Sequence, residues 1–211
     1  MGDISGKIVV DLCAAPGGKT AQLAAQDAQV IALDRSAKRM ERFVENMKRL
    51  DFENNVQTVI GDGALWQPSE PVDAVLLDAP CSATGTLRRH PDVMHSKSNH
   101  DVERLGVIQE RLLHNAATML KSGGMLLYCT CSLQKSEGED QVEKFLQAHL
   151  EFSRRAIQSS EIGELSELIT PNGDLRIFPY HLKDQGGMDG FFATRLVKGC
   201  LLYTSPSPRD S

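Results

Sequence analysis

The chain has 211 residues and a mass of 23.2 kDa, enough for one sizeable domain or at most two small ones. It is 41% hydrophobic and 24% charged, with 17 Gly and 9 Pro, a globular composition that excludes a disordered chain, a collagen and a coiled coil. The net charge of −5 does not by itself point to nucleic acid, because binding a polyanion draws on a basic surface. Apolar runs such as Val75-Leu76-Leu77 fall far short of the roughly 18 residues that span a bilayer. Residues 1–6 show no basic stretch leading into an apolar one, so no signal peptide is expected, and Gly6 replaces the Ser or Thr that myristoylation favours. The cysteines, Cys13, Cys81, Cys129, Cys131 and Cys200, are odd in number, which suits a reducing, cytoplasmic compartment better than a disulfide framework.

In chain order, residues 7–12 read as a buried strand that enters a turn of small residues at 13–20, then a helix over 21–26. Residues 29–34 form a second strand. Ser36 caps the next helix, whose Met40, Phe43, Val44, Met47 and Leu50 fall at helical spacing. Strands are expected at 56–60 and 72–78, a polar and basic loop at 82–100, and a helix from about 102 to 120 that ends on Gly123-Gly124 as a left-handed cap. A fifth strand at 125–130, a helix at 139–149 and strands at 176–180 and 191–197 follow. This alternation predicts an α/β fold, a mostly parallel sheet with helices on both faces. Residues 1–198 read as one domain, and the Ser/Pro-rich 199–211 as a disordered, non-native tail.

In open α/β sheets ligands bind beyond the carboxyl ends of the strands. Those ends carry Asp11 to Lys19, Asp34, Asp62, Asp78-Ala-Pro-Cys81 and Cys129-Thr-Cys131. Gly17-Gly18 allows close backbone approach to a ligand, yet the Gly-x-Gly-x-x-Gly dinucleotide fingerprint is absent, which disfavours a nicotinamide enzyme. Asp34, 23 residues after Asp11, suits ribose hydroxyls, or else caps the next helix. Asp62 between glycines is a ligand contact or only a turn residue. Asp78 stands where substrate sits, though an ordinary strand-end acid has the same pattern. Cys129 reads as an inert buried thiol and Cys131, at the strand's end, as a reactive one. No second Cys or His pair completes a tetrahedral set, so no metal is expected. Arg88, Arg89 and His90, with Lys97 close behind, form the densest basic cluster, either a solvated face or phosphate contacts beside the chemistry.

Three runs together carry a family signature: Asp11-Leu-Cys-Ala-Ala-Pro-Gly-Gly-Lys-Thr20, Asp78-Ala-Pro-Cys-Ser-Ala-Thr-Gly85 and Thr130-Cys-Ser132. The chain resembles the RNA cytosine-C5 methyltransferases that use S-adenosylmethionine. Arg88-Arg-His-Pro-Asp92 looks most like the bacterial 16S ribosomal RNA branch (Sun/Fmu-like). The similarity extends from about Gly6 to Lys198 and closes on Asp189-Gly-Phe-Phe192. It implies a Rossmann-like class I methyltransferase fold, seven strands with the last antiparallel. It further implies cofactor contacts from Cys13, Ala14, Ala15, Pro16, Gly17, Gly18 and Lys19, from Asp34 on the ribose, from Asp62 near the adenine and from Asp78 beside the reacting centre. Cys131 is implied as nucleophile and Cys81 as the residue that helps release product, with Arg88, Arg89, His90 and Lys97 towards RNA. Relatives of this branch carry a preceding RNA-binding region, so the chain is expected to be a catalytic-domain fragment.

The chemistry fits those residue types. Carbon 5 of cytosine is a poor nucleophile, and a thiolate adding at carbon 6 makes it enamine-like. Charge then moves towards ring nitrogen 3, within the province of the Asp78 carboxyl. The base must be unpaired or flipped out. Both cysteines follow adjacent strands, so spacing alone leaves open which attacks; the choice of Cys131 rests on the resemblance. The expected partner is RNA, 16S ribosomal RNA first, with a monomeric protein and no membrane. Alternatives are the same chemistry on transfer RNA or another ribosomal site, and a cofactor-binding module without turnover.

Overall fold

Five strands within the first 130 residues run parallel, and the connections between them lay helices on both sides of the sheet. The computed structural model describes residues 1–92 and 98–199. The strands are β1 (Ile8–Asp11), β2 (Gln29–Asp34), β3 (Val56–Ile60), β4 (Val72–Asp78) and β5 (Leu120–Thr130), followed by β6 (Phe152–Arg154), β7 (Leu175–Ile177) and β8 (Phe191–Lys198). The order is β3-β2-β1-β4-β5-β8-β6, with β7 also on β8. Only β8 pairs antiparallel to β5, in a register that sets Cys129 beside Ala193. β6 and β7 take successive stretches of the other edge of β8, so the seventh position of the sheet is split between two three-residue strands. The class I pattern expected of the sequence is therefore present.

The first crossover turns on Gly17. Its φ of 106° is left-handed, and a Cβ there would lie 2.9 Å from Met47 and 3.0 Å from Phe43. Glycine is required both by the backbone and by the helix packed above. Helix α1 (Gly18–Ala24) starts three residues earlier than the sequence suggested, as the turn closes directly into it. Helix α2 (Ala37–Arg49) is capped by the Ser36 hydroxyl, which accepts the Arg39 N–H. Met40, Phe43 and Met47 are buried, whereas Val44 and Leu50, expected in the same stripe, flank it and are 47% and 38% exposed.

Helix α3 (Asn99–Met119) begins a turn before the expected start, because Ser98 and Asp101 form a capping box. It does not end on a glycine cap. Leu120 pairs at once with Val72 of β4, and Gly123, at φ 78°, lies within β5 where its register against β4 shifts. Strand pairing satisfies the chain there, and the glycine serves a bulge instead. Leu112, Leu113, Ala116 and Ala117 of α3, with Val142 and Phe145 of α4 (Glu139–Ala148), pack on Val10, Val75, Leu77, Leu126 and Tyr128. Each such large side chain stabilises the fold by about 1.5–3 kcal/mol on burial. Across the sheet, Leu23 of α1 meets Val9, Val30, Ala74 and Leu76.

The strand expected at 176–180 is shorter. Phe178 to His181 leave the sheet, with the Phe178 and Tyr180 rings stacked at 5.5 Å. The expected tail lies, apart from Gly199, outside the described residues, as does Lys97. Among the described residues no helix is long and apolar enough to cross a membrane.

Candidate active site

Every carboxylate singled out at a strand end lines one of two cavities above the sheet. One of about 470 Å³ is walled by Asp34, Asp62, Asp78, Cys81 and Cys131, with Arg104, Leu105, Ile108 and Leu112 of α3 opposite. A second, about 320 Å³, is lined by Asp11, Ala14, Pro16, Gly18 and Lys19. They share Cys13, Ala15 and Asp78, so they adjoin at the end of β1. A third of about 480 Å³ lies over Leu76, Leu127, Leu175 and Phe191, and neither Cys81 nor Cys131 reaches it. Its size is no guide to chemistry.

The cofactor side is built by turns. Asp34 is buried; its Oδ2 accepts the Ala15 N–H at 3.2 Å and meets the Arg39 guanidinium at 3.1 Å, and its Oδ1 accepts the Ser36 N–H at 2.9 Å. The capping role considered for Asp34 thus belongs to Ser36. Arg39 also donates to the Ala15 carbonyl, clamping the β1–α1 turn to α2. Asp62 accepts the Ala64 N–H at 2.9 Å, so it closes a turn and lines the cavity at once. A Cβ on Gly18 would meet nothing within 4 Å, which leaves the backbone open towards the smaller cavity.

Asp11 is 1% exposed. Thr20 donates to its Oδ2 at 2.7 Å, and Oδ1 has no partner among the described residues. Burial, against that hydrogen bond, pushes its carboxyl up to about 7. The Lys19 ammonium lies 2.6 Å from Asp78 Oδ2; burial alone would lower it, and the Asp78 charge holds it above its usual range. Cys129 Sγ is 3.5 Å from Asp78 Oδ1, and burial pushes this thiol far up, consistent with an inert role. Cys13 is likewise held neutral, by burial and by the carboxylates of Asp11, Asp34 and Asp78.

Cys81 and Cys131 come together, their sulfurs 3.4 Å apart. Their titrations diverge. The hydrogen bond from Cys81 lowers the Cys131 thiol; the same bond, reinforced by burial, pushes Cys81 well up. The two loops that carry them are sewn together. The Gly85 N–H donates to the Cys131 carbonyl at 2.9 Å, and the Gly190 N–H to that of Gly85 at 2.8 Å. A Cβ on Gly85 would stand 2.1 Å from the Gly190 oxygen. Thr84 accepts the Leu133 N–H at 2.9 Å. Ala83, at φ 58°, holds a left-handed conformation in the same loop.

The basic cluster is partly neutralised. Arg89 Nε donates to Asp189 at 2.7 Å, and Arg88 lies 3.9 Å from the same carboxylate, yet both side chains stay about half exposed. His90 is exposed. Sequence reasoning passed over Arg39, Arg104 and Glu137, and gave Asp189 no contact of its own. Glu137 sits in Lys135-Ser-Glu-Gly-Glu-Asp140, a stretch that reads as solvated, but it is completely buried beneath the two cysteines.

The profile of the 16S rRNA methyltransferase RsmB/F family matches residues 4–197. Ribosomal RNA small subunit methyltransferase B of Shewanella oneidensis is 40% identical over 201 residues, covering 91% of this chain and 43% of that protein. Its namesake in Erwinia tasmaniensis is 39% identical over 198 residues, covering 92% and 42%. This chain thus spans less than half the length of these relatives. Among solved structures, PH0851 superposes with a TM-score of 0.80 at 32% identity, over 92% of this chain and 43% of that one. NSun6 from Pyrococcus horikoshii with SFG gives 0.76 at 28%, over 91% and 48%. With S-adenosylmethionine-dependent RNA methyltransferases as its relatives and their fold as its own, the chain belongs to the 16S rRNA methyltransferase RsmB/F family.

Proposed function

We propose that this chain transfers a methyl group from S-adenosylmethionine to carbon 5 of a cytosine in 16S ribosomal RNA, and that residues 1–198 form the catalytic unit. The thiol pair carries this reading: the sulfurs of Cys131 and Cys81 lie 3.4 Å apart in the cavity that also holds Asp78, and their contact shifts Cys131 down and Cys81 up.

The residues present fit the cofactor. Carboxylates at 34 and 62 face the space for a ribose and an adenine, the unpartnered Oδ1 of Asp11 and Lys19 border the smaller cavity, and Ala15, Ile108 and Leu112 offer apolar walls. Cys13 to Lys19 would wrap the methionine end. When bound, S-adenosylmethionine supplies the electrophilic methyl group that an activated carbon takes.

Activation is the work of the chain. The Cys131 thiolate forms a bond to carbon 6 of the base, and the electron pair displaced from the C5–C6 double bond makes carbon 5 nucleophilic. Asp78, whose Oδ2 is held by Lys19 and whose Oδ1 lies 3.5 Å from Cys129 Sγ, borders the cavity of the two cysteines, where its carboxylate would accept a hydrogen bond from the nitrogen edge of cytosine. Release needs loss of the carbon 5 proton to a base and return of the C6–S pair to Cys131. The Cys81 S–H then hydrogen-bonds the departing thiolate again. Arg88, Arg89, His90 and Lys97 would hold the phosphates of the unpaired strand beside the site.

Tritiated methyl transfer to unmodified 16S RNA, followed by digestion to nucleosides, tests the proposal. Label in 5-methylcytidine is expected. Label in any other nucleoside, or in transfer RNA in preference to 16S RNA, would refute the assignment of base or substrate. Calorimetric binding of S-adenosylmethionine without turnover would favour a binding module.

A further inference from the structure

We infer that Glu137 is the positioning residue that sets the separation of Cys81 and Cys131. The inference builds on the two-cysteine chemistry proposed above and concerns a residue that touches neither cofactor nor base. Glu137 is fully buried and its carboxylate receives four donors. Oε1 takes the Ser82 N–H at 2.9 Å and Gln109 Nε2–H at 3.0 Å; Oε2 takes the Ser132 hydroxyl at 2.6 Å and a short bond from the Ser82 hydroxyl. Ser82 and Ser132 directly follow Cys81 and Cys131.

One carboxylate therefore fixes both residues that anchor the two sulfurs, and Gln109 ties that anchor to α3. Gln109 in turn donates to the Pro80 carbonyl at 2.9 Å, immediately before Cys81. The Glu137 backbone is held as well, since Tyr128 donates to its carbonyl at 2.6 Å. A buried carboxylate with four donors is geometrically saturated and cannot rotate without stranding a partner. An amide at the same place would either turn its NH2 onto the Ser82 and Gln109 N–H donors, or turn it onto the Ser82 and Ser132 hydroxyls, which must then accept and lose their charge-assisted bonds. Ser82 and Ser132 would separate, and the sulfurs with them.

The test is Glu137→Gln, read by two independent measurements. In the first, diamide, an azo oxidant, accepts the two thiol hydrogens as Cys81 and Cys131 join, and peptide mass spectrometry follows that cross-link. The rate is expected to fall about tenfold. In the second, steady-state methyl transfer is expected to lose about 100-fold in kcat, with KM for RNA and the affinity for S-adenosylmethionine within about threefold, as misplacement of a reacting group by about 1 Å predicts. A residue needed only for stability would lower the unfolding temperature and leave the cross-linking rate of the folded protein unchanged.

If Glu137→Gln does not fold, Ser132→Ala, which removes one spoke, should show both effects in the same direction and smaller. Wild-type cross-linking and wild-type kcat in either folded variant would overturn the inference. Cross-linking does not depend on methyl transfer. A failure of the proposed chemistry, seen as retained transfer in Cys131→Ala, is thus distinguishable from a failure of this one.

Discussion

The two ends of the active cleft are built on different principles. Beyond β1, β2 and β3 the site is made of turns held over short chain distances: Asp11 takes the Thr20 hydroxyl, Asp34 the N–H of Ser36 and of Ala15, and Asp62 that of Ala64. Beyond β4 and β5 it is made of contacts between segments about 50 residues apart, through Gly85 with Cys131, Thr84 with Leu133 and Glu137 with Ser82. The first end needs only β1, β2 and β3 with the helices between them, since Asp34 and Arg39 tie the β1–α1 turn to β2 and α2. The second exists only once the sheet is assembled, and it holds the proposed reactive pair. A binding surface tolerates local construction, whereas two sulfurs 3.4 Å apart demand a cross-braced frame.

The largest effect expected at the braced end is that of Cys131→Ala. Methyl transfer should fall by at least about 10⁴-fold, the scale on which loss of a nucleophile is felt, while calorimetry shows cofactor binding intact. A variant with near-normal transfer would move the chemistry elsewhere.

The next effect belongs to the turn-built end. The folded Asp11 carboxyl titrates at about 7, above its unfolded value of 3.8. A raised folded value means that the native state holds its proton longer than the unfolded state does. Stability is therefore fully present below about pH 4 and is lost as pH rises through 7, by about 4 kcal/mol if the whole shift is expressed. Asp11→Asn removes that titration. Denaturation midpoints from pH 4 to 8 should fall more steeply in the wild type than in the variant. Parallel curves would show that Asp11 is solvated or paired.

Asp34→Asn comes third. It should weaken S-adenosylmethionine binding about tenfold, about 1.4 kcal/mol, and leave the Cys81–Cys131 cross-linking rate unchanged, because no bond of Asp34 reaches the braced end. A changed cross-linking rate would show that the two ends are coupled. Arg89→Ala is the mildest: RNA affinity about threefold weaker and the salt dependence shallower by about one unit of slope. An unchanged slope would mean that its bond to Asp189 is purely structural.

The same division explains what could be read from the chain before its fold was known. Strands and the motif turns at 13–20 and 78–85 were legible, because apolar runs, glycine and acids at strand ends act locally. Ser36 was recognised as a cap for that reason. Glu137 was not, since nothing within its own polar stretch distinguishes a buried carboxylate from a solvated one; its donors arrive from residues 82, 109 and 132. Gly123-Gly124 misled, since a cap signal was overridden by pairing with β4. Val44 and Leu50 misled in another way: their spacing fits the stripe of α2, but that helix buries only a narrow face. That the two cysteines meet was not legible either, because the contact joins residues 50 apart in the chain.

The central claim is that Cys131 bonds to cytosine while Cys81 assists release. It is tested most directly by 16S RNA transcribed with 5-fluorocytidine in place of cytidine. The fluorine at carbon 5 blocks the proton loss that release requires, so the adduct accumulates. In the presence of S-adenosylmethionine, peptide mass spectrometry should find the nucleotide on Cys131. A nucleotide on Cys81, or no covalent complex at all, would contradict the account.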